Sequence, residues 1–543
     1  MHTFRESPYT GCVKVLLVQP PVEDFYDTPI RTYPLGLACI AGKIKDVCDV
    51  SILDCRTGYK ARAPKNDFPE LDAFYRDDRR TPFSLFSRYS RYGMSEKEIG
   101  DAIEKEGPDV VGISSCFAAY YREAAEIAAI AKRAGPRIIT VMGGTHPTLF
   151  PGHVLDDVNV DYVVRGEGET PFLELVRSLQ SGRGGQSRIG GLSFKRNGRP
   201  RVGSIHIEDD IDVIPARHLL PVEKYRIGRK PYTFLLTSRG CPFSCSFCGK
   251  PPVPYRRRSL KSIEREVDEI DGMGIRAIDF EDDMLNLDIA FFRNVLEMVK
   301  GRGITLSAMN GLYGQTLDID TLTKMRDAGF SRLNFSLVDT SHAVHAVQRR
   351  AYPANFLRIL DWLEASDFLV EAHFIIGLPG QSPAEIIDTL VFLMSKRVLP
   401  GPSIYYPAPG SPLFDGPSGG PAFSFPYCRS SVMFEANPAF PRKTTFTFMK
   451  LLRFINVLKS LIDDTPGASG VHDLSGAPRM QKDPHSGAIF EALLSEKRFI
   501  AFDVRENIFV EEIQDRELIA AFFASMQGRT IKGFKTHNRV IMS

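Results

Sequence analysis

No apolar run in this 543-residue chain reaches the roughly 18 consecutive residues of a membrane helix, and the polar opening Met1 to Tyr9 lacks a signal-peptide core. A soluble, cytoplasmic protein with no membrane partner is expected. An excess of one charge is also missing: 68 Lys and Arg stand against 66 Asp and Glu, a balance of +2. Nucleic-acid proteins usually carry a stronger basic bias, so a nucleic-acid partner is not expected. Repeats and low-complexity tracts are absent. Hydrophobic residues at 43% and charged residues at 25% exclude a chain that is disordered throughout. At roughly 150 residues per domain the length suggests three to four domains.

Cysteine is scarce and unevenly placed. Of the nine, Cys241, Cys245 and Cys248 fall within eight residues, while Cys12, Cys39, Cys48, Cys55, Cys116 and Cys428 are scattered. An odd total with no export signal argues against a disulfide framework and for reduced thiols with one metal or redox site.

The first stretch alternates strand and helix patterns. Val13 to Val18, Val50 to Asp54, Val110 to Ser114, Arg137 to Met142 and Tyr162 to Val164 read as strands. Helices are expected from Leu35 to Val47, from Ser95 with Glu98 completing a capping box, and from Ala118 to Ala134. Such alternation implies right-handed crossovers and one doubly wound, Rossmann-like α/β domain over 12–190. Within it, 57–94 is polar and aromatic without a sustained period and reads as a long loop or insertion. A stretch rich in Gly, Arg and Pro from 181 to 228 reads as a linker, 191–228 proper, with one hairpin.

A second α/β series occupies 229–428. Phe234 to Ser238, Ala277 to Phe280, Ile304 to Met309, Leu333 to Val338, Val370 to Ile376 and Ser403 to Tyr406 are its strands, and Ser382-Pro383-Ala384-Glu385 starts a helix. Six βα units suggest a partial (β/α)6 barrel with reactive groups at the carboxyl ends of the strands. The remainder, 429–543, reads as a mainly α cap, with helices near Thr444 to Ile462 and Glu512 to Ser525; Asp473, His485 and His537 are isolated polar residues in it.

Cys241-Pro-Phe-Ser-Cys245-Ser-Phe-Cys248 follows the first barrel strand through the turn Ser238-Arg239-Gly240. Three thiolates on one tight loop suit three irons of a 4Fe-4S cube and leave the fourth iron open. A zinc site is the alternative, but structural zinc wants a fourth ligand and only His218 is near in sequence. Unligated thiols are the third reading.

This C-x3-C-x2-C spacing, with Phe247 before the last cysteine and a barrel strand ahead, resembles the radical SAM enzyme family. The resemblance implies that the open iron binds S-adenosylmethionine and that the reduced cluster cleaves it to a 5′-deoxyadenosyl radical. It further implies cofactor contacts from Phe247, from Glu281 and Asp282 ending the second strand, and from Ile375 and Gly377 in Phe374-Ile375-Ile376-Gly377-Leu378-Pro379-Gly380. The fourth strand departs from the family: where many relatives carry Ile-Glu-Ser-Gly, this chain reads Phe335-Ser336-Leu337-Val338-Asp339-Thr340, leaving Ser336 or Asp339 to substitute.

The N-terminal strands end in Ser114-Ser115, in Gly143-Gly144-Thr145-His146-Pro147 and in Arg165-Gly166-Glu167-Gly168-Glu169. Gly166-x-Gly168 lacks the third glycine of a dinucleotide fingerprint. With Tyr33-Pro34-Leu35-Gly36 these segments resemble the cobalamin-binding domain that precedes the barrel in cobalamin-dependent, class B radical SAM methyltransferases. Tyr33, Leu35, Gly36, Ser114, Ser115, Gly143, Gly144, His146, Gly166 and Glu167 are then the expected cobalamin contacts. No histidine lies between Gln19 and Arg31, so the resemblance implies cobalamin bound with its base detached and without a histidine axial ligand.

The implied activity is methylation of an unactivated carbon, with a small-molecule substrate and an external flavodoxin- or ferredoxin-like electron donor. A cobalamin-dependent rearrangement or oxidative cyclisation is the second reading. Methylthiotransferases also place an α/β domain before such a barrel, but they need three more cluster cysteines there. A cobalamin- or metal-binding interaction module is the reading from outside enzymes; Arg256-Arg257-Arg258 is its best support.

Overall fold

Aliphatic residues alternate between two helix layers along the N-terminal strands. Val15 and Leu17 pack with the helices Leu35–Ile44 and Glu169–Ser181, while Leu16 and Val18 pack with Glu96–Glu106, Tyr121–Ala134 and Pro151–Asp156. Successive side chains of a strand point to opposite faces, so a continuous apolar run marks a strand covered on both sides. The computed structural model describes residues 12–26, 33–56, 60–63, 65–84, 86–182, 185–251, 253–414, 424–477, 480, 484–535 and 538–542; His537 and the stretch 27–32 lie outside them.

The sheet runs in the order Arg199–Arg201, Leu192–Arg196, Tyr162–Val164, Ile139–Gly143, Val110–Ser114, Lys14–Gln19, Asp49–Asp54. Its five strands from Asp49–Asp54 to Tyr162–Val164 are parallel, and the last two form an antiparallel hairpin on the edge. The hairpin expected in the linker thus belongs to this sheet. The capping box forms in both directions between Ser95 and Glu98, and the helix it starts ends at Gly107 in the left-handed region.

Six strands form the second unit: Lys230–Leu235, Ala277–Phe280, Thr305–Ser307, Arg332–Val338, Leu369–Ile376 and Leu399–Ile404. Neighbours are parallel throughout, and the bridges Leu306 to Phe330 and Leu312 to Phe335 join its two halves. This is the expected open barrel. Its last strand begins four residues before Ser403, within Leu399-Pro400-Gly401-Pro402, a run that reads as a turn. Prolines are tolerated there because the strand pairs on one side only.

Two segments pack more closely than expected. The 57–94 region forms the antiparallel strands Lys60–Arg62 and Phe86–Tyr92 with Val22–Tyr26, and its aromatics Phe68, Tyr75, Phe83 and Tyr89 enter the barrel core. The C-terminal helix Arg442–Asp464 joins the same core and covers the Leu399–Ile404 edge. The C-terminal region is therefore continuous with the barrel, although it also carries the hairpins Ile500–Asp503 with Ile508–Glu511 and Thr530–Lys532 with Arg539–Ile541.

Candidate functional site

The cysteine loop starts where Ser238 and Arg239 leave the first barrel strand. Gly240 makes the turn at φ 85°, and a Cβ there would stand 2.3 Å from the Pro254 carbonyl. Cys245 is buried, while Cys241 and Cys248 are half-buried. Among the described residues no three His, Cys, Asp or Glu side chains converge on one ion-sized point, as zinc would need. A cube takes one thiolate per iron corner and needs no such convergence. The loop is anchored at Ser246, whose amide donates to the Gln348 carbonyl at 3.2 Å and whose hydroxyl bonds the Gln348 side chain.

Phe247 and Ile375, expected from different segments, meet in one apolar cluster with Val338, Val344, Leu378 and Tyr405 beside the loop. Gly377 has φ 89°, and an added Cβ there would be in van der Waals contact with Phe440 at 3.7 Å. The Gly377 amide and that of Leu378 donate to Gln381 Oε1 at 2.8 and 3.1 Å, while Gln381 Nε2 donates to the Ile375 carbonyl and to Asp339. Gln381 thus shapes the segment, a role its place in the sequence does not signal.

Ser336 precedes a bulge at which Val338 adopts φ 70°. A β-branched residue in the left-handed region is strained, and such strain concentrates at functional sites. Ser336 accepts from Arg350 at its hydroxyl, 3.1 Å, and at its carbonyl, 3.2 Å. Asp339 is fully buried and spent on Ser341, Gln381 and Thr389, so of the two substitutes only Ser336 adjoins the cysteine loop.

Glu281 ends the second strand half-buried, with Asn310 donating to its carboxylate at 3.0 Å. Asp282 corrects an expectation. Its carboxylate turns inward, 1% exposed, and accepts from the Thr237 amide, the Thr237 hydroxyl and the Ser238 hydroxyl at 2.6–3.1 Å. Burial outweighs these hydrogen bonds and holds the carboxyl above its ordinary range. Asp282 is a brace beneath the cysteine loop rather than a surface for a ligand.

At the carboxyl ends of the N-terminal strands lies a cavity of about 280 Å³. Tyr33, Leu35, Gly36, Ser114, Gly143, Gly144, Gly166 and Glu167 all line it, as does Gly112 in its floor. Where Gly112 stands, a Cβ would come within 2.7 Å of Leu17, and at Gly144 and Gly166 it would strike backbone at 2.6 and 2.1 Å. Bare glycine edges around an apolar slot fit a large planar cofactor with an apolar appendage.

Two expected contacts lie elsewhere. Ser115 is buried beside the cavity, with no hydrogen-bond partner for its hydroxyl. His146 is 1% exposed and packs among Tyr121, His153, Phe150 and Phe425. Burial, then His153, pushes its pKa down to about 3, so it is neutral. Its position after the glycine turn suggests a contact to the cofactor's edge or a helix cap, but its ring packs among aromatic side chains and is not among the residues that line the slot.

The two sites share a wall. Arg239, two residues before Cys241, lines the slot and pairs with Glu169 at 2.6 Å and Glu167 at 3.3 Å. Arg256 adds a pair to Glu167 at 2.7 Å. Burial raises Glu167, but the Arg256 hydrogen bond and the Arg239 charge outweigh it and hold the carboxyl below its usual value. Arg257 pairs with Asp288 and Arg258 with the buried Glu266, so the basic triplet is used internally. That removes the main support for an interaction module.

Known proteins bear on both halves. The family model described as B12 binding domain matches residues 88–176, and the model of the radical SAM superfamily matches 235–393. The chain is 29% identical to an uncharacterized methyltransferase of Pyrococcus horikoshii, over 70% of this chain and 77% of that one. It is 29% identical to the cytidylyl-2-hydroxyethylphosphonate methyltransferase of Streptomyces wedmorensis, over 67% and 73%. It is also 27% identical to the anaerobic magnesium-protoporphyrin IX monomethyl ester cyclase of Rubrivivax gelatinosus, over 59% and 60%. Its fold matches the radical S-adenosylmethionine methyltransferase TsrM from Kitasatospora setae, solved with cobalamin and a [4Fe-4S] cluster, at a TM-score of 0.56 and 19% identity, over 78% of this chain and 82% of that one.

Proposed function

We propose that the chain, which carries a match to a B12 binding domain followed by one to the radical SAM superfamily, is a cobalamin-dependent radical SAM enzyme that methylates an unactivated carbon of a small molecule. One observation carries the reading: Arg239 stands in the wall of the glycine-edged slot and two residues from Cys241, so the two candidate cofactor sites adjoin.

Cys241, Cys245 and Cys248 hold a 4Fe-4S cluster with one open iron. Phe247, Ile375, Gly377, Ser336 and Glu281 flank S-adenosylmethionine. Tyr33, Leu35, Gly36, Ser114, Gly143, Gly144, Gly166 and Glu167 cradle cobalamin. No described residue lining the slot is a histidine, which supports cobalamin bound without a histidine axial ligand. When bound, these groups supply a 5′-deoxyadenosyl radical and a transferable methyl group. The Arg239 and Arg256 ion pairs would hold the slot against the cysteine loop, and Cys245 is buried away from water. The single electron comes from a flavodoxin- or ferredoxin-like donor in the cytoplasm. No helix of the described residues is long and apolar enough to cross a membrane.

Anaerobic protein supplied with methyl-labelled S-adenosylmethionine and a small-molecule extract tests the reading by mass spectrometry. A product heavier by one labelled methyl is expected. A product of unchanged carbon count supports the second reading, cyclisation or rearrangement, which the likeness to a cyclase favours.

A further inference from the structure

Most arginines around the two sites are neutralised. Arg239, Arg256, Arg257 and Arg258 each face a carboxylate, and so does Arg217, buried against Glu266 at 2.5 Å. Arg350 is one exception, and Arg165, which donates to the Thr148 and Gly203 carbonyls, is another. The hydrogen bonds of Arg350 go to the Ser336 carbonyl and hydroxyl and to Cys245 Sγ, at 3.7 Å, and among the described residues no carboxylate pairs with it.

The placement is fixed on two sides. The chain reverses after the helix His342–Val347, with Arg349 at φ 52° and the Arg350 amide donating to the His345 carbonyl at 3.0 Å. Gln348, two residues earlier, is bonded to Ser246 by backbone and side chain and donates to the Pro379 carbonyl at 3.0 Å. Loop and turn therefore move as one body. The half-buried guanidinium projects from this turn to the sulfur of the most buried cysteine of the three.

We propose that Arg350 is a positioning residue that tunes the cluster: its uncompensated charge and its hydrogen bond to the Cys245 sulfur raise the reduction potential. A one-electron reduction adds a negative charge to the cluster, and a cation several ångströms away in a partly desolvated site favours that state. Donors to a cluster sulfur act in the same direction. The inference rests on the three cysteines holding the cluster, which iron quantitation tests separately.

The experiment is potentiometric paramagnetic resonance of the anaerobically reconstituted full chain, without S-adenosylmethionine, with dithionite as reductant. R350M, which lacks both charge and donor, is expected to show about tenfold fewer reduced clusters at a fixed potential, a shift of about −59 mV for one electron. R350K should recover most of it. Should R350M assemble no cluster, R350Q keeps a donor without the charge and is expected to shift the same way by a smaller amount. Full iron content with an unshifted potential in R350M, or in R350Q where R350M fails, overturns the proposal. A weaker affinity for S-adenosylmethionine at unchanged potential does so too, because Arg350 would then serve the cofactor's carboxylate. Wild-type chain that binds no cluster instead overturns the cysteine assignment.

Discussion

Replacing Asp282 with alanine strands the Thr237 amide, the Thr237 hydroxyl and the Ser238 hydroxyl in a buried site. Each orphaned group costs about 1–3 kcal/mol, so the thermal midpoint is expected to fall and cluster loading with it, whereas D282N should retain much of both. The sequence marks a carboxylate at a strand end but not the way it turns; that depends on Thr237 across the sheet. The surroundings of His146 are hidden for a similar reason, since its neighbour Phe425 lies far along the chain. The Cys241, Cys245 and Cys248 spacing was legible because one short loop carries the whole pattern. Glu123 offers a test by pH. Burial, opposed by Arg429, raises its carboxyl from 4.5 to about 7. The unfolded carboxyl ionises near the ordinary value, so the unfolded state binds fewer protons between the two. Stability from this group is present below pH 4.5 and is lost as pH rises through about 7. Unfolding free energies from urea titration should fall across that window by up to about 3 kcal/mol in the wild type and stay flatter in E123Q. Equal slopes would contradict the assignment.

At the scale of elements, alternating aliphatic strands and capping boxes made both α/β series legible, because their pairing partners lie nearby in sequence. Elements whose partners are distant were not. Leu399–Ile404 carries two prolines and is a strand only because Leu369–Ile376 presents an edge to it. The 57–94 segment gains its strands from Val22–Tyr26 and its burial from the barrel core. The turn at Gly166 tests the slot as a unit. An alanine there, at φ 87°, meets the His206 carbonyl at 2.1 Å, so the strand end must shift. Strain of roughly 1–3 kcal/mol is expected to weaken cobalamin retention about tenfold. Iron content should be unchanged, and G166A retaining cobalamin as the wild type does would remove the slot from the account.

At the scale of the molecule, Arg429 locks the N-terminal domain to the segment that follows the barrel. It donates to the Glu23 and Ala119 carbonyls at 2.5 and 2.6 Å and faces the fully buried Asp24 at 3.6 Å. R429M leaves Asp24 uncompensated and is expected to cost about 3–5 kcal/mol, with D24N in the same chain recovering part. An isolated arginine gives no such signal in sequence, since its partners are contributed by three separate segments. The domain order itself was legible, and it supports the central claim that a cluster site and a cobalamin site adjoin at Arg239.

The most direct test is the anaerobic visible and paramagnetic resonance spectrum of the reconstituted chain, wild type beside C245A. The account predicts one 4Fe-4S cluster together with cob(II)alamin in its base-off form, and loss of the cluster with retention of cobalamin in C245A. A second cluster, the absence of either cofactor from the wild type, or a histidine-coordinated cobalt would contradict it.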